Sequence, residues 1–242
     1  NDEIDAYVIF DADNVVHREF LNKMNDSINC GYEVVQGFRD TKNICDNWLS
    51  TSYAILYYLQ SLFINKSRFN FGMSSFLNGT GFMVKKETID RYGYDPKTIT
   101  EDIEYTAICA INGIKIAFNE NAITYDEQVT DFKSSLKQRK RWSFGAIQCL
   151  KNYTGSLIKE GIKNKRFECF DVIIFYFGII FHVLFTIVSL IGIFYNVFYL
   201  NNFNSMDVVI YFIMFLINYF IGVIFRMIVI KKCNKSIKEN IW

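Results

Sequence analysis

The strongest constraint on what this chain can fold into is a change of character near residue 170. Before it, apolar stretches are short and interrupted by charge; after it, 172–199 and 208–230 form two long segments almost free of charge. Each exceeds the roughly 18 to 20 apolar residues that span a bilayer, so two transmembrane helices are expected. Lys159, Lys163, Lys165 and Arg166 precede the first segment, and Lys231, Lys232, Lys235 and Lys238 follow the second. The connecting stretch NNFNSMD has neither Lys nor Arg. This bias puts both flanks on the cytoplasmic side of a multi-pass protein in the cell membrane. His182 falls inside the first expected span, where a neutral imidazole satisfied by a neighbouring helix is favoured over a proton path.

Upstream of the boundary, strand and helix signals alternate in α/β order. Residues 6–10 read as a strand and 17–29 as a helix closed by Gly31; 32–36 read as a strand and 43–64 as a long amphipathic helix. A strand is expected at 81–86. Thr100 then caps a helix with Glu101 and Asp102 in its first turn and Gly113 at its end, and a strand follows over 114–118. Thr130 is the expected cap of another helix reaching about Leu150. Its apolar Phe132, Leu136, Ile147 and Leu150 against basic Lys137, Arg139 and Lys140 suit a helix lying in the membrane interface.

The formal net charge of +1 removes any bulk electrostatic case for nucleic-acid binding. Six scattered cysteines, with no CxxC pair, argue against zinc or a disulfide framework and read as reduced apolar fillers. The sequence starts at Asn1, carries no signal-peptide pattern and enters its first expected strand within about five residues, so a preceding segment of a longer protein is expected. The expected division is 1–129, an α/β part; 130–169, an interfacial helix and linker; 170–230, a helix pair in the membrane; and 231–242, a cytoplasmic tail.

Four short patterns could carry chemistry. Asp11 and Asp13 of DADN lie just past a strand's carboxyl end, where open α/β sheets bind ligands, and two hard oxygen donors suit Mg²⁺ or Mn²⁺ held against a diphosphate. An acidic turn after a strand is the other reading. The same pattern also satisfies the opening motif of haloacid-dehalogenase-like phosphotransferases, with Asp11 as nucleophile. In TED, Asp102 sits in the field of a helix amino end, which keeps it ionised and able to accept a proton, although helix capping explains Thr100 and Glu101 equally well. In QRKRW, Gln138, Arg141 and Trp142 are spaced i, i+3, i+4 and project from one helix face, an anion clamp beside a stacking surface; lipid anchoring is the alternative. GTGF, with Gly79 and Gly81 about Thr80, reads as a tight turn into a strand or a close backbone approach to a ligand.

The order DADN, GTGF, TED, YDEQ (125–128), QRKRW and then apolar segments resembles family 2 glycosyltransferases of the membrane-embedded kind, such as cellulose, chitin, hyaluronan and poly-N-acetylglucosamine synthases. The resemblance covers residues 1 to about 150. It implies a partial GT-A domain, then an interfacial QxxRW helix and two transmembrane helices. By the same resemblance Asp11 and Asp13 hold Mg²⁺ or Mn²⁺, Asp102 is the general base, Gln138 and Arg141 neighbour the diphosphate, and Trp142 stacks under the acceptor sugar. Gly79, Thr80 and Glu101 would then be substrate-binding. The implied activity is inverting transfer of a sugar from a nucleoside-diphosphate donor, expected to be UDP-linked, to a glycan or lipid hydroxyl at the cytoplasmic membrane face. Family members begin with a nucleotide-binding segment that is not in this sequence, so these residues alone are expected to be inactive, with strand 6–10 short of sheet neighbours. The acceptor loop reads FLNGTG, not the aromatic-rich, Cys-containing version of cellulose synthases, which leaves the sugar open. An Asp11 phosphotransferase and an inactive membrane remnant are the competing readings.

Overall fold

The computed structural model describes residues 4–178 and, beyond them, isolated helical positions between 184 and 228. The two expected spans, with His182 and Cys233, lie almost wholly outside the described residues. Among those residues, no helix is long and apolar enough to cross a membrane.

Five strands form one mixed sheet in the order β1-β4-β3-β5-β2: β1 (Ala6–Ile9), β2 (Val15–Val16), β3 (Val34–Thr41), β4 (Phe82–Lys85) and β5 (Ile116–Asp126). β4 runs antiparallel to both of its neighbours, β1 and β3, while β3 and β5 are parallel. β1, β3 and β5 therefore all point the same way and release their carboxyl ends at one edge. That edge also receives the turn entering β4. The expected loss of neighbours for the first strand is corrected in part: β1 pairs with β4 over four residues and lacks a partner only on its outer side among the described residues.

Helices cover both faces. α1 (Phe20–Asn29) buries Phe20 and Met24 against Val35, Met83 and Ala117. On the other face α5 (Glu101–Asn112) sets Tyr105 and Cys109 against Val34, Phe82, Val84 and Ile116. A third layer lies on α5: α6 (Phe132–Lys163) and a helix over 167–178, here α7, bury Cys149, Leu157, Cys169, Val172 and Tyr176 against Ala107 and Ala110. The first residues of the apolar segment expected to begin at 172 are thus part of this packing. Arg68 ties α7 to the rest by an ion pair with Asp171.

Several boundaries differ from the sequence reading, each for a local reason. The helix expected from residue 43 begins at Trp48, because Asn47 accepts from the backbone N–H groups of Leu49 and Ser50 in a capping box. Asn43 is engaged upstream with the backbone of Gln128. This helix, α2 (Trp48–Tyr58), passes into a π-helical turn at Leu59–Lys66 and then α3 (Ser67–Asn70). β3 and β5 run well past 36 and 118, because they extend each other across a bulge at Gly37/Phe38. A Cβ at Gly37 would stand 2.5 Å from the Ala122 carbonyl oxygen, so only glycine lets the strands close there. α4 (Lys86–Tyr92) and the short β2 were not expected. α6 is capped by Asp131, which accepts from the Ser134 N–H at 2.8 Å, and not by Thr130. Its extent to Lys163 overruns the expected end near Leu150. Thr100 does precede α5, but its hydroxyl makes no cap hydrogen bond. Cys109, Cys149 and Cys169 are buried fillers, whereas Cys30 and Cys45 are exposed.

Candidate active site

The turn into β4 organises the first acidic residue. Gly79 and Gly81 adopt positive φ of 82° and 66°, and Thr80 between them is fully buried. Its Oγ1 accepts from the Asp11 N–H at 3.2 Å and from the Asn14 side chain. Thr80 therefore lies beneath the DADN loop and holds it, facing away from open space. Gly81 also donates to the Ile9 carbonyl at 2.9 Å, closing loop and turn together at the sheet edge.

Above this edge is a hollow of about 250 Å³. Its wall includes Asp11, Gly79, Glu101, Asp102, Gln138, Arg141 and Trp142, which come from four separate stretches of chain. Asp13 is not in that wall. It lines an adjoining hollow of about 310 Å³ that shares Asp11, Arg39 and Gln138 with the first. Of the sequence candidates, then, Asp11 and Gln138 belong to both spaces, Asp13 to the neighbour only, and Thr80 to neither.

Asp102 sits at the amino end of α5, and a Cβ added at Gly79 would lie 3.5 Å from its Oδ2. Burial pushes its carboxyl up to about 6, with the Ile103 N–H and Arg39 opposing and Glu101 reinforcing. The helix-end field is present as expected, but desolvation outweighs it. Asp11 is also raised, by burial first, with Arg39 opposing and Asp13, Glu101 and Asp126 adding to the rise. Negative charge is thus concentrated on this rim.

Trp142 packs against Leu49, Tyr53 and Tyr57 of α2 and meets Tyr53 edge-on, ring centroids 6.0 Å apart. Its plane is set by that contact. Lys140 turns elsewhere, toward Phe144, but Arg139 reaches the same Tyr53 that Trp142 meets, its Nε donating to the hydroxyl at 3.4 Å, contrary to the expectation from helical spacing.

The sequence reading missed Arg39. This residue, near the end of β3, is pinned by Asp126 at the end of β5, through Nε at 2.6 Å and Nη2. Its Nη1 donates to the Asn78 carbonyl at 2.6 Å, and the guanidinium lies 3.8 Å over the Tyr57 ring. Burial works against its charge, but Tyr57 and Asp126 more than offset it. It lines both hollows and is the fixed cation between Asp11 and Asp102. Asp126 belongs to YDEQ, which drew notice in the sequence without a role; no short-range pattern marks a lone Arg in a strand as the partner of a residue 87 positions away.

Among the described residues no group of three or more His, Cys, Asp or Glu is placed to hold a metal by itself. Asp11 and Asp13 supply two carboxylates at the hollows, a donor set that fits a hard divalent cation completed by phosphate oxygens and water.

The sequence pattern that defines glycosyl transferase family group 2 matches residues 7–227. A curated relative, "Probable glycosyltransferase YdaM" of Bacillus subtilis (strain 168), is 25% identical over 199 residues, 73% of this chain and 44% of that protein. The chain spans less than half the length of this relative. Its mixed α/β sheet, with the acidic and QxxRW residues gathered at one edge, is consistent with a GT-A domain. With the family pattern spanning most of its length, this chain belongs to glycosyl transferase family group 2.

Proposed function

We propose that the paired hollows carry out inverting transfer of a sugar from a nucleoside-diphosphate donor, UDP-linked, to a hydroxyl of a glycan or lipid acceptor. The observation that carries this reading is convergence: Asp11, Asp102, Arg141 and Trp142 line a single space although 131 positions separate the first from the last. Asp102, raised to about 6 yet mostly ionised at neutral pH, takes the proton from the acceptor hydroxyl. Arg141 holds the diphosphate oxygens as a forked donor, and Arg39, already engaged by Asp126 and Asn78, adds fixed positive charge beside it. Trp142, its plane set by Tyr53, is the floor for the acceptor ring. Gln138 offers Oε1, which has no partner among the described residues, between the two spaces. Asp11 and Asp13 would hold Mg²⁺ or Mn²⁺, which when bound neutralises charge on the departing nucleoside diphosphate. Thr80 and Gly79 shape the acceptor side from below, and Glu101 contributes to the acidic rim.

The reading includes a membrane setting with the catalytic part cytoplasmic. It is supported by the two apolar segments and their flanking lysines, and by α6, where exposed Phe132, Leu136, Phe144, Ile147, Ile158 and Ile162 recur along one helical face. Phosphotransfer through Asp11 draws no support from the family, and fluoroberyllate trapping should give no aspartyl adduct.

The test is turnover of UDP-hexoses by the full-length protein in detergent. Turnover is expected to stop with EDTA and to return with Mn²⁺ or Mg²⁺. Asp102→Asn is expected to slow transfer by roughly 10² to 10⁴. Undiminished activity in that variant removes Asp102 as the base, and indifference to EDTA removes the metal.

A further inference from the structure

The wall of the hollow contains polar groups that the fold itself does not satisfy. Asn78 is 3% exposed, and nearly all of its hydrogen-bonding capacity is committed. Its N–H donates to Gln36 Oε1 at 2.9 Å, its carbonyl accepts from Arg39, and its Oδ1 accepts from Gln60 Nε2 at 2.7 Å. Only Nδ2, with its two hydrogens, lacks a partner among the described residues. Tyr57, 4% exposed and clamped under Arg39, likewise has a hydroxyl without a partner. Both residues line the hollow that holds Asp102 and Trp142. Folded proteins rarely keep buried amide or phenol groups unpaired unless something outside the chain completes them.

The chemistry of that missing partner can be read from what is on offer. Asn78 Nδ2 can only donate, and with Gln60 already donating to Oδ1 the unused capacity of this amide is its pair of N–H groups. The complement is an accepting oxygen, and a carbonyl meets two amide hydrogens without bringing a competing donor of its own. Tyr57 Oη can accept an N–H, and Leu56, Phe76 and Phe175 add apolar wall to the same hollow. One group carries a carbonyl oxygen, an N–H and a methyl together: the acetamido substituent of an amino sugar. Gly79 places this feature directly beside the candidate base, since the next residue after Asn78 approaches Asp102.

We propose that Asn78, with Tyr57, is the specificity determinant that selects a 2-acetamido sugar as acceptor. The proposal rests on the glycosyl-transfer reading of the hollow, and its test is built to fail separately from that reading. Saturation-transfer NMR on the full-length protein in detergent, with UDP and Mg²⁺ present, offers N,N′-diacetylchitobiose and cellobiose in competition. The wild type is expected to favour the acetamido disaccharide by about tenfold, as one or two additional hydrogen bonds allow. Asn78→Ala is expected to bring that preference to within about twofold, and Asn78→Asp, which keeps the shape and turns the donor into an acceptor, to remove it. Both variants are expected to retain UDP binding, which separates lost selection from lost folding. A wild type without preference, or a preference unchanged in Asn78→Ala, overturns the proposal. UDP-hexose hydrolysis without acceptor is measured in parallel: its absence from the wild type would count against the transferase reading, while an Asn78-dependent preference would still uphold the acetamido site.

Discussion

As the proposed base, Asp102 combines two properties that conflict: that role needs it ionised to accept a proton, and it sits where burial penalises ionisation. Activity should rise with pH through about 6 as the carboxyl loses its proton, a dependence checked by kcat/KM profiles between pH 5 and 8. The stability consequence has the opposite sense. Its folded pKa lies above the ordinary 3.8, so ionised Asp102 destabilises the fold fully above about pH 6, and the cost fades as pH falls toward 4. Asp102→Asn is therefore expected to raise stability at pH 7.5 by about 1 to 3 kcal/mol while transfer collapses, with the gain gone near pH 4; thermal unfolding at both pH values checks it. Arg39 shows the converse. Removing it strands the Asp126 carboxylate, so Arg39→Met should cost about 3 to 5 kcal/mol, and Asp126→Leu in the same chain should recover part of that in a double-mutant cycle. The acidic motifs were legible because DxD and TED are local patterns with local chemistry. Arg39, Asn78 and Tyr57 were not, because what makes them matter is a partner found or lacking across the fold, and nothing within a few residues of them records it.

Among the elements, α5 and α6 do most to bring the site together. Gly145 of α6 meets Thr100, the residue before α5, so closely that a Cβ would overlap the threonine hydroxyl. Gly145→Ala should force the helices apart, costing about 1 to 3 kcal/mol and lowering transfer more than donor binding, because Trp142, the proposed acceptor floor, would draw back from Asp102. Unfolding together with UDP affinity and transfer rate checks this, and trimming Thr100 to Ala should relieve part of the loss. The Thr100 hydroxyl makes no cap hydrogen bond and lies against Gly145 instead. Sequence periodicity found the helices at α1, α5 and α6: α5 lies between Thr100 and Gly113 as expected and α1 ends at Asn29, but α1 begins at Phe20 and not His17, and α6 runs on to Lys163. At α2 the capping box of Asn47 and Ser50 was decisive, and a 43–64 window averaged across it. At β3 and β5 the strands lengthen by pairing with each other, a tertiary gain that the propensity of neither segment reveals.

For the whole molecule, α/β order was visible in the sequence, while the strand order β1-β4-β3-β5-β2 was not, because antiparallel β4 enters between two strands of like direction. That insertion carries the Gly79–Gly81 turn to the same edge as Asp11, Arg39 and Asp126. Since every layer contributes to the hollow, a ligand there should stabilise the molecule as a unit. UDP with Mn²⁺ at about 100 times its Kd should add about 2.7 kcal/mol, or roughly 5 to 10 °C in Tm, and most of that shift should vanish with EDTA. The length of α6 has a mechanical corollary. From Trp142 to Lys163 it is an unbroken rod of about 32 Å, and at Lys165, the non-glycine residue with positive φ among the described residues, the chain turns into α7. A rod pivoting at its far end magnifies small rotations: about 3° of tilt at the α7 joint swings the indole by about 1.7 Å, more than the tolerance within which an attacking oxygen must be aimed.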